Sequence, residues 1–434
     1  MSKIIVAGAG HGGLVAAAHL AKNGYDVTVY EKKKKGTVGY DWTDAFDRSA
    51  LTFAGIELPA DTKLYHLHPM AFYGPSQKVK LIAGDSRGEY STNMDRKAIC
   101  KLLISFAEEN GVKICYNSEV LAPIVEGDRV IGINVRSAGK IKAVCGDLII
   151  DALGCNSALR LNLPAFMDME GRFNRAEVFY SYRAFYELTG EPSTEYHENH
   201  FFHNYKPGLC WFMDYPDYCD ILIGRFDPFT DDDVAETVAK FRETYPELGT
   251  KILRGGQHAI IPIRKAIGRL VLNGYVAVGD SAAMTIPLIG SGISNSVMAG
   301  KMLADSVIAA EGATDVASLW RYQVQYFKKI GAKMAKIDKM RELIGTMSGE
   351  DVDFLLENGV LTTEDISAAT GGGLKIGVPQ VAEKAYRGKS NLPLLGKFAL
   401  KARQGGVIEA HAANIPEIYN EKAADAWIQK YRTI

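Results

Sequence analysis

The sequence predicts an α/β fold in which a parallel βαβ domain is interleaved with a separate antiparallel sheet and followed by a helical C-terminal region. Three observations predict this fold. The chain opens with an apolar run, a glycine-bounded helical stretch and a second apolar run; aromatic and β-branched residues dominate 175–264; and helical periodicity dominates the remainder. The predicted domains are 1–174 together with 265–312, then 175–264, then 313–434.

The composition narrows the functional classes. Of 434 residues, 47% are apolar and 23% are charged, and the net charge of −1 gives no reason to expect a nucleic-acid partner. The six cysteines are scattered and show no C-x-x-C spacing, which favours reduced thiols, a cytoplasmic location and no metal site. No apolar run is long enough to cross a membrane, and none resembles a signal peptide.

The elements follow from the hydrophobic pattern in order. "KIIVAG" and "YDVTVYE" predict buried strands on either side of a helix over 13–24, and 93–111 carries apolar residues at helical spacing. Three short β-like runs over 112–135 precede the buried strand in "GDLIIDALG". The aromatic, glycine-rich region 32–90 has no long period and predicts loops with a few short elements.

A glycine motif lies at the mouth of the first helix. Glycines in a G-x-G-x-x-G pattern permit a tight turn, admit a pyrophosphate to backbone amides and allow close helix packing, while an acid about twenty residues on accepts ribose hydroxyls. The pattern predicts a dinucleotide-binding loop of the Rossmann type. Its residues are Gly8, Gly10, Gly12, Gly13 and Glu31.

Two neighbours of this motif have two interpretations each. His11 is a candidate cofactor contact, although a helix cap or a partly exposed side chain explains it as well. Lys32 begins a run of four lysines that could screen phosphate charge or select a 2′-phosphate, and a solvated loop face explains that run equally well.

Two later motifs carry a family resemblance. "DALGCNSALR" follows a buried strand as D-x-x-G-x-x-S-x-x-R, and "VGDSAAMTIPLIGSGIS" joins a strand end to a proline, two glycines and a helix. With the first motif they resemble the group A FAD-dependent oxidoreductases, which include the geranylgeranyl reductases and the para-hydroxybenzoate hydroxylase-like monooxygenases. The resemblance implies FAD as cofactor.

The resemblance also implies cofactor-binding residues. Glycines before a helix keep side chains away from the flavin ring, and the helix amides stabilise negative charge on it. By resemblance, an arginine near the start of the helix in "NMDRKAICKLL" reaches the cofactor. The implied residues are Arg96, Asp151, Gly154, Asp280, Pro287, Gly290, Gly292 and Ile293.

The middle sheet is interpreted as the substrate side. "CWFMDYP" is a loose version of a reductase segment, so Trp211, Phe212 and Tyr215 are candidates to line a pocket facing the flavin, although ordinary strand packing explains them too. The geranylgeranyl reductases tend to carry a cysteine shortly after the second strand. This chain has none there, and its first cysteine is Cys100.

The leading functional hypothesis is hydride transfer between flavin and a carbon–carbon bond of a hydrophobic, isoprenoid or lipid-like substrate. The alternative is an NAD(P)H-dependent monooxygenase that hydroxylates a small aromatic molecule, and a non-catalytic flavoprotein is the third hypothesis. No residue is assigned as catalytic. "GGGLKIG" lacks a preceding strand, so no second nucleotide-binding domain is predicted, and electrons come from transient NAD(P)H, an external redox protein or the substrate.

The C-terminal part raises one further hypothesis. "NLPLLGKFALKAR" has an apolar face with basic flanks, which is typical of a peripheral membrane helix and equally of a helix docked on the core of the protein.

Overall fold

The computed structural model describes residues 2–83, 91–370 and 378–434. "GGGLKIG" falls at 371–377, outside those residues. The strands are β1 (Lys3–Ala7), β2 (Asp26–Tyr30), β3 (Thr43–Asp47), β4 (Met70–Tyr73), β5 (Lys80–Ala83), β6 (Ser91–Asp95), β7 (Lys113–Cys115), β8 (Ser118–Glu126), β9 (Arg129–Ser137), β10 (Lys140–Cys145), β11 (Leu148–Asp151), β12 (Val178–Leu188), β13 (His197–Phe201), β14 (Gly208–Tyr215), β15 (Tyr218–Arg225), β16 (Leu248–Pro262), β17 (Val271–Leu272) and β18 (Tyr275–Ala277).

Helices fill the spaces between these strands and form the C-terminal region. The α-helices are α1 (His11–Lys22), α2 (Ser49–Phe53), α3 (Arg96–Glu109), α4 (Ala158–Leu161), α5 (Asp231–Thr244), α6 (Ile293–Ala309), α7 (Val316–Tyr326), α8 (Ala332–Ile344), α9 (Gly349–Glu357), α10 (Thr363–Thr370), α11 (Val378–Arg387), α12 (Leu392–Ala413) and α13 (Glu421–Thr433).

A mainly parallel sheet forms the centre of the first part of the fold. Its strand order is β17-β18-β11-β1-β2-β7, and we call it the parallel sheet. The core residues of β1, β2 and β11 are buried because α1, flanked by α3 and α6, packs on the sheet, while β8 and β9 contact β2 and β11. The predicted α/β class and the opening βαβ unit are confirmed by this sheet.

The meander β8-β9-β10 interrupts the parallel sheet between β7 and β11, as the sequence predicts. Its three strands are antiparallel, with the buried residues concentrated in β9 and none in β10, so the outer strand is solvated.

A second, mostly antiparallel sheet forms the other half of the fold. Its order is β16-β12-β15-β14-β13-β4-β5, and we call it the large sheet. One of its faces packs on α5, whose apolar residues Val234, Val238 and Phe241 are buried against the strands. The predicted antiparallel sheet over 175–264 is therefore confirmed.

The large sheet differs from the expectation in one respect. The strands β4 and β5 come from the segment predicted to be mainly loops and assigned to the nucleotide-binding domain, yet β4 pairs with β13. Each of these two strands is only four residues long, so neither carries a period that the sequence pattern can reveal. The domain boundaries proposed above remain a prediction.

The C-terminal helices wrap around both sheets. The last helix, α13, buries Trp427 and Tyr431 against Phe327, and α12 packs along α8. Among the described residues, no helix combines the length and apolarity needed to span a membrane.

Candidate cofactor site

Three sequence motifs meet at one edge of the parallel sheet. β1, β11 and β18 are neighbours, and their last residues Ala7, Asp151 and Ala277 stand at the same carboxyl edge. The backbone joins them there, because Ala152 donates its N–H to Ala7 and Val278 donates to Asp151. Ligands of open α/β sheets bind outside this edge.

The first glycine loop lies directly against the chain that follows β11. Gly8 has a φ of +87°, and a Cβ built on Gly8 or Gly10 would stand 2.8 or 2.7 Å from the carbonyl oxygen of Ala152. A Cβ on Gly13 would stand 2.5 Å from the Ala152 side chain. These glycines therefore allow the first and second motifs to come into contact, and they also leave the backbone amides of the loop uncovered.

The remaining glycine of the loop, Gly12, allows the helices α1 and α6 to pack closely. A Cβ on Gly12 would stand 2.6 Å from the Ser296 carbonyl oxygen, and one on Gly300 would stand 2.2 Å from the Gly12 carbonyl oxygen. Because α1 and α6 approach this closely, the first and third motifs are also fixed relative to each other.

Glu31 ties the glycine loop to the end of β2. Its carboxylate accepts the Ala9 N–H at 2.9 Å and the Lys33 N–H at 2.8 Å, and the side chain is buried. A carboxylate has further lone pairs, so the predicted acceptance of ribose hydroxyls remains a proposal that this geometry permits. Lys32, in contrast, is exposed.

A cluster of polar side chains lies beside the glycine loop. Gly10 is the N-cap of α1, so the alternative that His11 caps the helix is wrong. Burial and the nearby Arg96 guanidinium lower the pKa of His11 to about 3, so its imidazole is neutral at ordinary pH. Arg96 itself begins α3 and donates to Asp44 at 2.5 Å, and the ion pair raises the pKa of the arginine.

Cys100 lies in the same cluster, which sequence spacing did not show. Its sulfur is 3.9 Å from Nε2 of His11 and would be 3.2 Å from a Cβ built on Gly39. The thiol thus comes from α3 to the loop after β2, where the sequence itself has no cysteine. Burial raises the pKa of the Cys100 thiol to about 11, so it stays protonated.

Asp151 is fully buried and accepts hydrogen bonds from four donors. The Tyr275 hydroxyl donates at 2.7 Å, the Ser281 hydroxyl at 2.9 Å and the Leu153 N–H at 3.1 Å, and the Ser157 hydroxyl donates to the same carboxylate. The resemblance implied that Asp151 lies near the cofactor. In the structure the carboxylate has no exposed surface and its oxygens join the second and third motifs, so its proximity to the cofactor remains a prediction.

Gly154 is placed differently from Asp151. Its φ is +88°, which favours glycine, and a Cβ built there would meet no atom within 4 Å. Its N–H donates to the Ser281 hydroxyl at 3.1 Å. The backbone at Gly154 is therefore positioned by the third motif and faces open space, as a cofactor-binding position requires.

The third motif folds into one compact turn in front of α6. Gly292 is the N-cap of α6, and a Cβ there would stand 3.3 Å from the Asp280 carboxylate. Gly290 has a φ of +66°, and its N–H donates to the Ile286 carbonyl at 2.9 Å, which closes the turn around the buried Pro287. Ile293 begins the helix with its side chain in the core, so only its backbone is presented forward.

The arrangement suits a dinucleotide with a flavin. Neither α1 nor α6 has a capping side chain or an acid in its first turn, so both helix N-termini are available to negative groups. In the first turn of α6, the Asn295 side-chain amide nitrogen is buried without a hydrogen-bond partner, which a polar ligand would satisfy. Within the described residues, no cluster of His, Cys, Asp and Glu is arranged to hold a metal ion.

The large sheet turns one face towards this site. Trp211 pairs with Leu222 of β15, which pairs with Arg183 of β12, so the three side chains share that face. Arg183 is buried, pairs with Asp220 at 2.5 Å and donates to the Thr43 hydroxyl at 3.0 Å. Because Thr43 begins β3, this guanidinium joins the large sheet to the strand that also contains Asp44.

The three predicted pocket residues are not brought together. Trp211 and Tyr215 lie on the face with Arg183, whereas Phe212 points to the opposite face and stacks on Tyr245 of the neighbouring region with ring centroids 3.9 Å apart. The prediction for Phe212 is wrong because successive side chains of a strand alternate between faces. Trp211 and Tyr215 remain proposed pocket residues.

Comparisons with known proteins agree with this geometry. A family model described as FAD dependent oxidoreductase matches residues 3–162. A digeranylgeranylglycerophospholipid reductase of Sulfolobus acidocaldarius is 22% identical over 413 residues, covering 92% of this chain and 89% of the relative. A second such reductase, from Methanopyrus kandleri, is 23% identical and covers 92% of this chain and 99% of the relative.

The fold has a solved counterpart. A geranylgeranyl bacteriochlorophyll reductase-like protein of Thermoplasma acidophilum superposes with a TM-score of 0.70 at 19% identity, covering 91% of this chain and 99% of that protein. The resemblance to FAD-dependent oxidoreductases of the geranylgeranyl reductase type, predicted from the three motifs, is confirmed.

Asp280 provides a test of the site through pH. Burial raises the pKa of its carboxyl above the ordinary value of 3.8, so folding disfavours the ionised form. The ionised carboxylate therefore lowers stability at neutral pH, and this cost disappears as pH falls below 3.8, where both states are protonated. We expect D280N to unfold at higher denaturant concentration than the wild type at pH 7 when FAD is absent.

The same substitution should have the opposite effect on the cofactor. If Asp280 accepts a hydroxyl of FAD, D280N binds FAD about tenfold more weakly, because a charge-assisted hydrogen bond becomes a neutral one. Titration of apoprotein with FAD checks this, with the exposed Asp61→Asn as control. Unchanged FAD affinity together with raised stability would remove Asp280 from the cofactor site.

Proposed function

We propose that this chain, an FAD-dependent oxidoreductase, reduces carbon–carbon double bonds in isoprenoid chains of a lipid. The observation that carries the proposal is the meeting of three cofactor motifs at the edge of the parallel sheet, opposite an apolar and aromatic face of the large sheet. The reductases named above match over most of their length as well as most of this chain, which supports the same substrate class.

The residues of the chain divide the work as follows. FAD, when bound, supplies the hydride transfer. We propose that Gly8, Gly10 and Gly154 let the cofactor approach the backbone amides. The N-terminus of α6 would face the flavin ring and stabilise negative charge on it. The face around Trp211 would then exclude water and orient the substrate chain. Arg183, which pairs with Asp220 and donates to Thr43, would hold this face in place against β3.

The electron donor belongs to the same proposal. The described residues contain one nucleotide-binding loop at a parallel-sheet edge, and its geometry is accounted for by the three motifs. We infer that NAD(P)H binds transiently or that an external redox protein delivers the electrons.

A product assay tests the proposed reaction. FAD-loaded protein is reduced without oxygen and mixed with a geranylgeranylated glycerophospholipid in detergent, and mass spectrometry follows the lipid. We expect the lipid to gain pairs of hydrogen atoms, with NADPH or dithionite as donor. Gly10→Val, whose side chain would collide with Ala152, should abolish this through loss of FAD, whereas Gly171→Val, at an open position, should not.

The alternative chemistry has its own signature in this assay. With oxygen present and small aromatic acids or phenols as probes, a monooxygenase yields hydroxylated product. Hydroxylation of an aromatic probe with no hydrogenation of the lipid would overturn the reductase proposal. Failure of bound flavin to accept electrons from any donor would support the non-catalytic hypothesis instead.

We further infer a cytoplasmic enzyme that meets a membrane surface through α12. The predicted docking of this helix on the core is confirmed, since Leu394, Ile408 and Ala412 are buried and Lys401 pairs with Glu342 of α8 at 2.6 Å. Docking explains one side of the helix only. On the other side, Leu392, Leu400 and Val407 are 64%, 53% and 51% exposed.

The exposed side has the chemistry of an anionic lipid surface. The spacings from Leu392 to Leu400 to Val407 are each about two turns, so the three side chains form one stripe. Lys397 and Arg403 are exposed on the same helix and enter no ion pair within the described residues. An apolar stripe with basic neighbours binds at the interface of an anionic bilayer.

Vesicle co-sedimentation tests this surface. We expect the wild type to bind vesicles containing anionic phospholipid, and the double variant L392S/L400S to bind at least about tenfold more weakly, because two leucines leave the apolar interface. Ile141→Ser removes an equally exposed apolar side chain from the meander and serves as control. Equal binding by all three proteins, or none by the wild type at low salt, would reject the inference.

A further inference from the structure

A small cavity lies on the α5 face of the large sheet, away from the cofactor motifs. His200 of β13 pairs with Cys210 of β14, which shares the face of Phe212 and not that of Trp211. The sheet therefore separates this cavity from the proposed substrate face. Its volume is about 120 Å³, and its lining comes from the loop after β4, the end of β13 with the following turn, and the last turns of α5.

One lining side chain has an unused polar atom. His203 is 8% exposed and stacks on Phe241 with ring centroids 4.5 Å apart. Its Nδ1 atom is buried and has no hydrogen-bond partner. The neighbouring His200 is not equivalent, because its nitrogens contact Gln77 and the Tyr245 hydroxyl. A buried polar atom without a partner is costly, so a ligand that pairs with Nδ1 would be favoured.

The charges around His203 indicate whether that ligand is positively or negatively charged. Arg225 is 5% exposed and bonds only to neutral groups, with Nη1 3.0 Å from the Cys210 sulfur and Nη2 3.4 Å from the Thr237 hydroxyl. In the part of the chain that the structure describes, no carboxylate pairs with it. The Asp233 carboxylate lies within electrostatic reach of Arg225 but is bonded to Thr230 and does not pair with the guanidinium, which therefore favours the entry of an anion.

The pKa of His203 also agrees with a negatively charged ligand. Burial, and then the neighbours His200, Arg225 and Lys206, lower the pKa of His203 to about 3, and His200 is itself neutral at ordinary pH because burial lowers its pKa to about 4. The charged neighbours that act on this imidazole are cations. Carboxylates do lie near the rim, but Glu243 is paired with Lys240 at 3.0 Å and Glu236 with Lys206 at 2.8 Å.

The backbone around the cavity is held in an unusual conformation. Gln77 and Asn204, which both line it, have φ values of +58° and +54°, and Phe202 and Tyr205 are also left-handed at +48° and +56°. None of these residues is glycine, so the left-handed conformation is unfavourable for each, and least so for Asn204. Strain of this kind is concentrated where a loop is shaped around a ligand.

We propose that this cavity binds a small oxyanion, a phosphate or a carboxylate group. The His203 imidazole in the tautomer with a proton on Nδ1 donates to it, and the Arg225 guanidinium balances its charge from behind the cavity wall. A cavity of about 150 Å³ accommodates benzene, so this volume suits an ion of four or five heavy atoms. The site is independent of the proposed redox function, because the sheet stands between them.

Binding of inorganic phosphate and of acetate to the FAD-loaded protein tests the site. Calorimetric titration near neutral pH, in a buffer without other oxyanions, should give saturable binding of at least one of the two ions. His203→Phe keeps the stacking on Phe241 and removes Nδ1, so we expect affinity to fall at least about tenfold. His258→Phe changes an exposed histidine of β16 and should bind as the wild type does.

A spectroscopic measurement keeps the test valid if the phenylalanine variant folds poorly. In wild-type protein with ¹⁵N-labelled histidine, the bound ion should shift the Nδ1 resonance of His203 and leave that of His258 unchanged. Binding of phosphate alone assigns a phosphate site, and binding of acetate alone assigns a carboxylate site. Absence of saturable binding by either ion, or equal binding by His203→Phe, would overturn the proposal.

Discussion

The buried carboxylate of Asp151 is the interaction on which the cofactor site depends. It accepts from a strand residue, Tyr275, from the helix cap Ser157 and from Ser281 of the third motif. A buried carboxyl group is tolerated only when it is fully hydrogen-bonded, and here the donors come from two segments, the turn after β11 and the chain from β18 into the third motif. The polar network therefore requires these segments to fold together, and the glycine loop after β1 then packs against Ala152, the next residue.

The rest of the architecture extends from this point. The large sheet is joined to β3 by a hydrogen bond from Arg183 to Thr43, and the ion pair of Arg183 with Asp220 of the same sheet holds this guanidinium in place. The same sheet has polar networks on its α5 face, where Glu198 accepts from Tyr73 at 3.0 Å and pairs with Lys80. The Glu198 network is therefore set into a face that is otherwise largely apolar and packs on α5, whereas the opposite face carries Trp211 and the Arg183–Asp220 ion pair.

The sequence predicted the strand–glycine–helix turns well because their signals are local. The geometry of a strand end followed by glycines and a helix is determined within about ten residues. Gly8, Gly154 and Gly292 therefore lie where a positive φ or close packing favours glycine. The hydrogen bonds that join Asp151 to Tyr275 and Ser281 were not predicted, since sequence spacing does not show which side chains of distant segments meet. Contacts between distant segments, such as Cys100 beneath Gly39 or Arg183 with Thr43, have no spacing signal.

Other differences between the sequence predictions and the structure have other physical causes. Phe212 was misplaced although strand alternation alone separates it from Trp211, so that error lay in grouping neighbours of one strand. The short strands β4 and β5 have too few residues for a period. The apolar stripe of Leu392 and Leu400 was visible, but a helical pattern with two apolar sides does not reveal which side faces the core.

The central claim is that Asp151 unites the three motifs into one FAD site. Titration of FAD into apoprotein carrying Asp151→Asn tests it most directly, because the amide has the same shape but presents a donor where the carboxylate accepts. The account predicts that FAD affinity falls at least about tenfold while Asp61→Asn binds as the wild type does. FAD binding by Asp151→Asn with wild-type affinity and stoichiometry would contradict it.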